Sequence, residues 1–489
     1  MLRKIVCGIA AISLLIGPSG GAVAAGAEQN TKAVDAVFAD LVKPGSPGCA
    51  MAVFRDGKIV YSKGYGLANI EEHVAITPSS VFDIGSTSKQ FTAASILFLE
   101  QQGKLSVNDD VRKYIPELPD YGKKITILNL LNHTSGLRDY LVLLLLSGVN
   151  TDSVTTDDDA LALVVRQKAL NFDPGSEWLY SNTGFFLLSI IVKRVSGQTL
   201  REFAAANIFT PLGMNHTEYR DDHTSLVDNR AMAYEPNEHG TGFRLDVSYF
   251  EQTGDGAVHT SVQDLLKWDE NFYSGKVGGK SFLAEIQEPG KLNSGKVLNY
   301  AKGLFVDDYR GLPSVRHGGA WGGYRAELLR FPKQHLSVAC LCNVGNANPE
   351  DRAEKVADVY LGSLMKAKPA EKKEMEEEPK HKPEIQLSED QLKAYAGEYF
   401  SEELAAIYKV EVKDGKLRMK VQVGPGNFVK LAIDDKDTLR ATATDEFELA
   451  ETGVTVHFKR QAEKGVTGFT LDAGRTKGVT FEKTWQGKL

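Results

Sequence analysis

Ser86-Thr87-Ser88-Lys89 sets a hydroxyl and an amine three residues apart at the start of a stretch with helical periodicity. Residues i and i+3 share a helix face, so the Lys89 amine can reach the Ser86 hydroxyl, and a helix N-terminus favours a developing alkoxide. A serine with a built-in amine partner is one solution to the weakness of serine as a nucleophile. Two other short patterns follow in the chain, Tyr180-Ser181-Asn182 and His317-Gly318-Gly319. Each is at chance level alone. The 28 serines and 38 lysines produce about two S-x-x-K matches by composition, and Ser363-Leu364-Met365-Lys366 is the second. The hydrolase elbow pattern G-x-S-x-G occurs only at Gly17 to Gly21, inside an apolar leader, and is set aside.

The elements that must position these residues show as changes of period along the chain. Ala50 to Arg55, an Asp56-Gly57 turn and Ile59 to Tyr65 predict an opening hairpin. Phe91, Ala94, Phe98 and Leu99 predict a helix with one buried face, ended by Gly103. Phe185 to Ser196, stopped by Gly197, and Val262 to Tyr273, with a capping box from Ser261 and Asp264, predict two more. Leu141 to Leu146 is too short to cross a bilayer and reads as a buried turn of a helical subdomain. Between Lys366 and Glu384 twelve of nineteen residues are Lys or Glu and none is aromatic, so this stretch reads as a solvated linker. Beyond it Tyr408, Val410 and Val412 alternate with polar residues, Asp414-Gly415 turns the chain, and Leu417, Met419 and Val421 alternate back. Strand-like runs follow at Phe428 to Ile433, Gly453 to Lys459, Gly465 to Leu471 and Val479 to Trp485, which predicts an antiparallel barrel or sandwich.

The chain has 489 residues, 42% apolar and 25% charged, with four cysteines. That profile excludes a disordered tail and a disulfide scaffold. Residues 1–27 read as a secretory signal peptide: Arg3 and Lys4, an apolar run from Ile5 to Ile16, a Gly17-Pro18 break, and small-residue sites at Ala22 to Ala24 and Ala25 to Ala27. The expected location is therefore outside the cytoplasm, periplasmic or secreted, with no stable membrane span after cleavage. Losing Arg3 and Lys4 takes the formal charge from -7 to -9, and with no basic patch in view no nucleic-acid partner is expected. Cys340 and Cys342 share a face of a strand-like run and would bridge each other only with strain. Free buried thiols are favoured, and pairing of Cys49 with either is left open. No Cys/His cluster has zinc spacing and no H-E-x-x-H occurs, so no metal or other cofactor is expected.

The order and flanks of the three motifs resemble the penicillin-recognising serine hydrolases, in the branch of class C β-lactamases, DD-carboxypeptidases, D-aminopeptidases and related esterases. The resemblance runs from about Ala33 to Leu364 and is carried by the motifs together with Leu130 to Leu137, Phe172-Asp173-Pro174-Gly175, Pro211-Leu212-Gly213-Met214, Gly322-Gly323-Tyr324 and Phe331-Pro332. It implies an α/β (α+β) fold in which an antiparallel sheet is flanked by helices, with a helical subdomain. The tail from Tyr395-Ala396-Gly397-Glu398-Tyr399 is similar to the lipocalin-like appendage of some members, an antiparallel β-barrel. The expected organisation is a signal peptide at 1–27, the hydrolase domain at 28–365, the charged linker at 366–384 and the barrel at 385–489, the last with a packing or gating role.

Carried over, the resemblance makes Ser86 the nucleophile of an acyl-enzyme, with Lys89 and Tyr180 sharing the proton work. Ordinary pKa values near ~10 and ~10.4 leave both largely protonated at neutral pH, so one must be perturbed; which of them is the base stays open. Asn182 is expected to bond the substrate amide or the Lys89 amine. The backbone N–H groups of Ser86 and Ala320 are expected to form the oxyanion hole. Gly318 and Gly319 would let a substrate lie along the motif strand. His317 stands where most β-lactamases have lysine; it is expected to titrate near neutrality, and the change disfavours efficient lactam hydrolysis. His133 reads as structural, while Trp321, Tyr324 and Arg325 are candidates for lining the cleft. The expected substrates are peptides containing D-amino acids, cell-wall-derived ones included, or small esters and amides. The alternatives are a β-lactamase and a slow penicillin-binding sensor.

Overall fold

The computed structural model describes residues 19–150, 152–237, 240–367, 382–425, 427–430, 438–449 and 453–484. The opening hairpin forms as expected: β1 (Cys49–Arg55) and β2 (Lys58–Tyr65) are joined by Asp56 and Gly57, both at positive φ, the turn that matches strand twist. They belong to a seven-stranded sheet with β3 (Tyr300–Ala301), β4 (Leu304–Tyr309), β5 (Leu312–Trp321), β6 (Tyr324–Phe331) and β7 (Leu336–Cys342). The strand order is β3-β4-β5-β6-β7-β1-β2, antiparallel throughout. All of β7 is buried, as a central strand covered on both faces must be.

The helices that flank the sheet and the site are α1 (Ser19–Val37), α2 (Lys89–Gln101), α3 (Tyr140–Leu146), α4 (Asn182–Ser196), α5 (Val262–Ser274) and α6 (Pro349–Leu361). One face of the sheet packs Met51, Val53, Leu329 and Val338 against Val34 and Phe38 of the N-terminal segment and Ala353 and Val356 of α6. The other face carries the larger core, which continues into the helical body. The prediction of one buried face on α2 is corrected: Lys89 to Leu97 and Leu99 are all buried, because this helix runs between sheet and helical body and meets solvent only at its last turn. Helix α4 ends at Gly197 as expected, with φ 76°. The capping box of α5 is half made. Ser261 accepts the Asp264 N–H at 3.2 Å, but the Asp264 carboxylate accepts instead from the His216 N–H and from Thr217 and Lys267.

Residues 1–18 of the expected leader lie outside the described residues, and α1 begins at Ser19 and runs across both small-residue sites. Among the described residues no helix is long and apolar enough to cross a membrane. The preference for free thiols is corrected at one pair. Cys49 and Cys342 stand directly opposite on β1 and β7 and form a disulfide, leaving Cys340 as a buried free thiol. The neighbour relation arises between strands 293 residues apart, so strand pairing had to be known before the bridge could be.

The tail folds into β8 (Gly397–Ser401), β9 (Ala406–Lys413), β10 (Lys416–Gly424), β11 (Asn427–Lys430), β12 (Thr438–Ala443), β13 (Glu446–Leu449), β14 (Thr455–Gln461), β15 (Gly465–Ala473) and β16 (Thr476–Lys483). Pairing of β9 with β10 closes eight of these into a barrel, and β11 adds to β10 outside the ring. The question of barrel or sandwich is thereby answered. Tyr399, Tyr408, Phe469 and Phe481 fill the inside, the last two rings stacked at 4.4 Å. Most of the charged linker, residues 368–381, and the ends of the strand-like runs at 431–433 and Trp485 lie outside the described residues.

The barrel docks on the helical body through polar groups removed from water. Arg138 donates to Glu403 at 2.5 Å and to the carbonyls of Lys477 and Gly478 at 2.8 and 2.9 Å, and both charged side chains are almost wholly buried. Glu403 also accepts the Lys168 and Thr480 N–H groups, each at 2.9 Å, so the buried charges are fully bonded.

Candidate active site

Gly85 to Ser88 form a short 3-10 turn that leads into α2. Gly85 has φ 47°, and a Cβ there would lie 2.7 Å from the Ala320 nitrogen; one at Gly319 would lie 1.9 Å from the Ile84 carbonyl oxygen and 3.1 Å from the Ser86 nitrogen. Neither site admits a side chain. The two glycines let β5 lie against the turn that carries Ser86, close to the Ala320 nitrogen. Thr87 fastens the contact by donating its hydroxyl to the His317 carbonyl at 3.0 Å. Because β4 pairs with β5 only through Leu312 to Arg316, the following segment from His317 to Trp321 leaves that edge without a partner strand among the described residues. Its Gly318 and Gly319 carry no side chain to obstruct an added strand.

Lys89 is fully buried. Its Nζ lies 3.0 Å from Ser86 Oγ, 3.0 Å from Asn182 Oδ1 and 2.5 Å from the Asp255 carbonyl. Burial pulls its pKa from 10.5 down to about 7, opposed by Asp255 and Asp139 and assisted by Arg475. At neutral pH an uncharged amine is therefore accessible; with two N–H bonds given to Asn182 and Asp255, its lone pair faces Ser86. Asn182 Oδ1 thus accepts from the Lys89 amine, one of its two expected partners. Asn182 is held in turn by its own N–H, which donates to Asp139 Oδ2 at 2.8 Å. The Asp255 carbonyl is placed by a clamped loop: Gly254 packs against the Phe185 carbonyl on α4, and its own carbonyl accepts the Thr92 hydroxyl of α2 at 2.7 Å.

Tyr180 lines the cleft, and its hydroxyl is buried. Burial raises its pKa well above the ordinary tyrosine value; Ser86 and Arg475 pull it back only in part. The Lys89 Nζ and Arg475 Cζ lie 4.9 and 5.4 Å from the ring centroid. His133 supports this ring at 4.2 Å and accepts the Ser181 N–H at 3.2 Å, with burial holding it neutral. Its structural reading fits.

His317 departs from expectation. Its ring is buried, Nδ1 donates to the Gly318 carbonyl at 2.6 Å and Nε2 accepts from the Tyr300 hydroxyl at 3.2 Å. Burial, then the nearby Lys89, pulls its pKa down to about 3, so it is neutral at physiological pH and does not switch near pH 6.5. Trp321 and Arg325 line the cleft, whereas Tyr324 is buried and donates to the Ala231 carbonyl at 2.6 Å. Ser363 lies in an exposed turn after α6 and does not line the cleft.

The cleft encloses about 740 Å³ and gathers Ser86, Tyr180, Asn182, His317, Gly319 and Ala320 along its wall. Asp139, Asp255 and Arg475 belong to the same cluster and were not legible as such. Asp255 lies between Gly254 and Gly256 with no motif around it, and Arg475 belongs to the barrel tail.

A family model described as Beta-lactamase matches residues 34–362, and one described as Domain of unknown function (DUF3471) matches residues 381–488. Penicillin-binding protein 4* of Bacillus subtilis (strain 168) is 31% identical over 302 residues, 59% of this chain and 66% of that protein. A D-aminopeptidase of Brucella anthropi (strain ATCC 49188) is 27% identical over 434 residues, 88% of this chain and 77% of that protein. A D-aminopeptidase of Gluconobacter oxydans (strain 621H) is 29% identical over 298 residues, 61% of this chain and 56% of that protein. The chain thus spans less than two thirds of the first and third of these relatives. The octameric penicillin-binding protein homologue from Pyrococcus abyssi superposes with a TM-score of 0.59 at 22% identity, covering 95% of this chain and all of that one. The D-amino acid amidase from Ochrobactrum anthropi SV3 gives 0.58 at 20% identity, over 69% of this chain and 99% of that one. At these identities the superpositions speak for the fold.

Proposed function

Since this chain belongs to the Beta-lactamase family and is a serine hydrolase of that fold, we propose that it cleaves peptides containing D-amino acids, or small esters and amides, through a Ser86 acyl-enzyme. The observation that carries the reading is the Lys89 amine, buried, 3.0 Å from Ser86 Oγ and with its pKa brought to about 7. Neutral Lys89 takes the Ser86 proton as Oγ attacks the carbonyl carbon. The oxyanion is received by the Ser86 and Ala320 N–H groups. Tyr180, kept protonated by burial, donates to the leaving amine or alkoxide and is reprotonated from Lys89. Water then repeats the sequence on the acyl-enzyme and releases Ser86.

The D-peptide assignment is supported by the relatives named D-aminopeptidase and by the neutral His317 in place of lysine. The penicillin-binding relative favours the second reading, an enzyme that acylates on lactams. Turnover of a D-Ala-D-Ala peptide, its L-enantiomer, a short aryl ester and a cephalosporin separates the two. The expected outcome is that the D-peptide or the ester exceeds the cephalosporin in kcat/KM by at least ~10-fold; a cephalosporin as the best substrate overturns the assignment. Equal rates on the L-peptide remove its D-specific part.

The pH profile follows from the same geometry. Only neutral Lys89 can accept the proton, so kcat/KM should climb as pH rises through about 7 and flatten above it, with no separate inflection from His317. A rising limb displaced to the ordinary lysine range would count against Lys89 as base.

Export is part of the proposal. It is supported by the leader-like residues 3–27 and by the Cys49–Cys342 disulfide, which suits an oxidising compartment. The intact mass of protein recovered from producing cells reads this directly: cleavage after Ala24 or Ala27 is expected, and a chain that keeps residues 1–27 contradicts it.

A further inference from the structure

Four arginines line the cleft, and three are engaged with the protein itself. Arg220 donates to the His223 and Ser225 carbonyls. Arg316 is paired with Asp307, Glu350 and Glu354, and Arg325 with Glu235 and two carbonyls. Arg475 differs. Its ion-pair partner is Asp139, at a long 3.5 Å through Nε, and its side chain is 37% exposed. Asp139 is already committed: Oδ2 accepts the Asn182 N–H, and Oδ1 accepts two N–H groups at the start of α3. The outer nitrogens of Arg475 therefore make no hydrogen bond to a described residue, while the guanidinium stands 5.4 Å from the Tyr180 ring centroid.

This side chain is delivered by the barrel and is well anchored. It sits with Gly474 in the turn between β15 and β16. Asn171 grips that turn twice, donating to the Arg475 carbonyl and accepting the Lys477 N–H, both at 2.9 Å. The buried Arg138–Glu403 pair holds the same end of the barrel. Other cations beside Ser86 are not available to a ligand: Lys89 is buried with three partners and His317 is neutral. A planar guanidinium fork with free N–H groups at the wall of a peptide-sized cleft matches a carboxylate.

We propose that Arg475 is a specificity-determining residue, supplied to the hydrolase cleft by the C-terminal barrel, that binds a free carboxylate of the substrate. The enzyme then favours peptides ending in a carboxylate over the corresponding amides, which is the carboxypeptidase side of the reading above. The inference rests on the Ser86 reading for the placement of substrate.

Binding to catalytically silent full-length Ser86→Ala protein tests it without turnover. Titration with an N-acetylated D-Ala-D-Ala peptide and with its C-terminal amide should show the carboxylate form tighter by about 10- to 100-fold. In Ser86→Ala with Arg475→Ala that ratio should fall to near one, and Arg475→Lys should restore part of it. Only backbone atoms of Arg475 bond Asn171, so the turn should stay docked; thermal melts of each variant check this. An undiminished ratio in Arg475→Ala, equal binding of the two peptides, or binding of neither overturns the proposal. Failure of the Ser86 reading is seen separately, as wild-type protein whose Ser86 is neither labelled nor needed for turnover.

Discussion

Replacing Ser86 by alanine should reduce turnover of every substrate the enzyme accepts by at least ~10⁴-fold, because the variant loses the group that forms and then breaks the covalent bond to the substrate acyl group. The fold should be unaffected, since Ser86 lies on a turn whose position is set by its glycine neighbours and by Thr87. Intact-mass spectrometry after exposure to a fluorophosphonate gives the second readout: one adduct on the wild type and none on Ser86→Ala. Ser363→Ala supplies the internal control, because Ser363 has the same S-x-x-K spacing on an exposed turn. It should keep wild-type turnover and labelling. An adduct that survives in Ser86→Ala, or is lost in a folded Ser363→Ala, would mean that the nucleophile has been misassigned.

Adding one methyl at Gly319 should cost about 100- to 1000-fold in kcat, the usual loss for an impaired oxyanion hole. The new Cβ would stand 1.9 Å from the Ile84 carbonyl oxygen, a backbone atom, so β5 and the Ser86 turn must separate and the two amides with them. Gly318→Ala is the informative comparison. Its Cβ would meet Glu327 Oε2 at 2.8 Å, the end of a flexible side chain, so that change should cost tenfold or less. Steady-state kinetics with melting curves separate the two effects. A Gly319→Ala enzyme within tenfold of wild type would remove the Ala320 amide from the mechanism.

The approach of Lys89 to Ser86 and the glycines of the motif strand were readable because their placement is local: a helix spacing of three, a turn and a strand without side chains are written in neighbouring residues. The hairpins at Asp56-Gly57 and Asp414-Gly415 were readable for the same reason. The behaviour of His317 was not, since an imidazole titrates according to what surrounds it, and Tyr300 and Lys89 arrive from distant parts of the chain. Nor was the role of Asp139, Asp255 or Arg475 visible. Each contributes through a carbonyl or a charge placed by tertiary packing, with no motif around it. The one-sided reading of α2 failed in a related way, because a helix enclosed by sheet and helices keeps no polar face to mark its orientation.

The pairing of β1 with β7 has a consequence for the order in which the molecule can form. The first hairpin emerges early from the ribosome, yet its partner strand, joined to it at Cys49 and Cys342, is synthesised 293 residues later. Until then the apolar run from Cys49 to Phe54 is an unpaired edge, the kind of surface that templates aggregation. Contacts so distant in sequence make folding slow. A chain built this way gains from being kept from closing its sheet until both strands are complete.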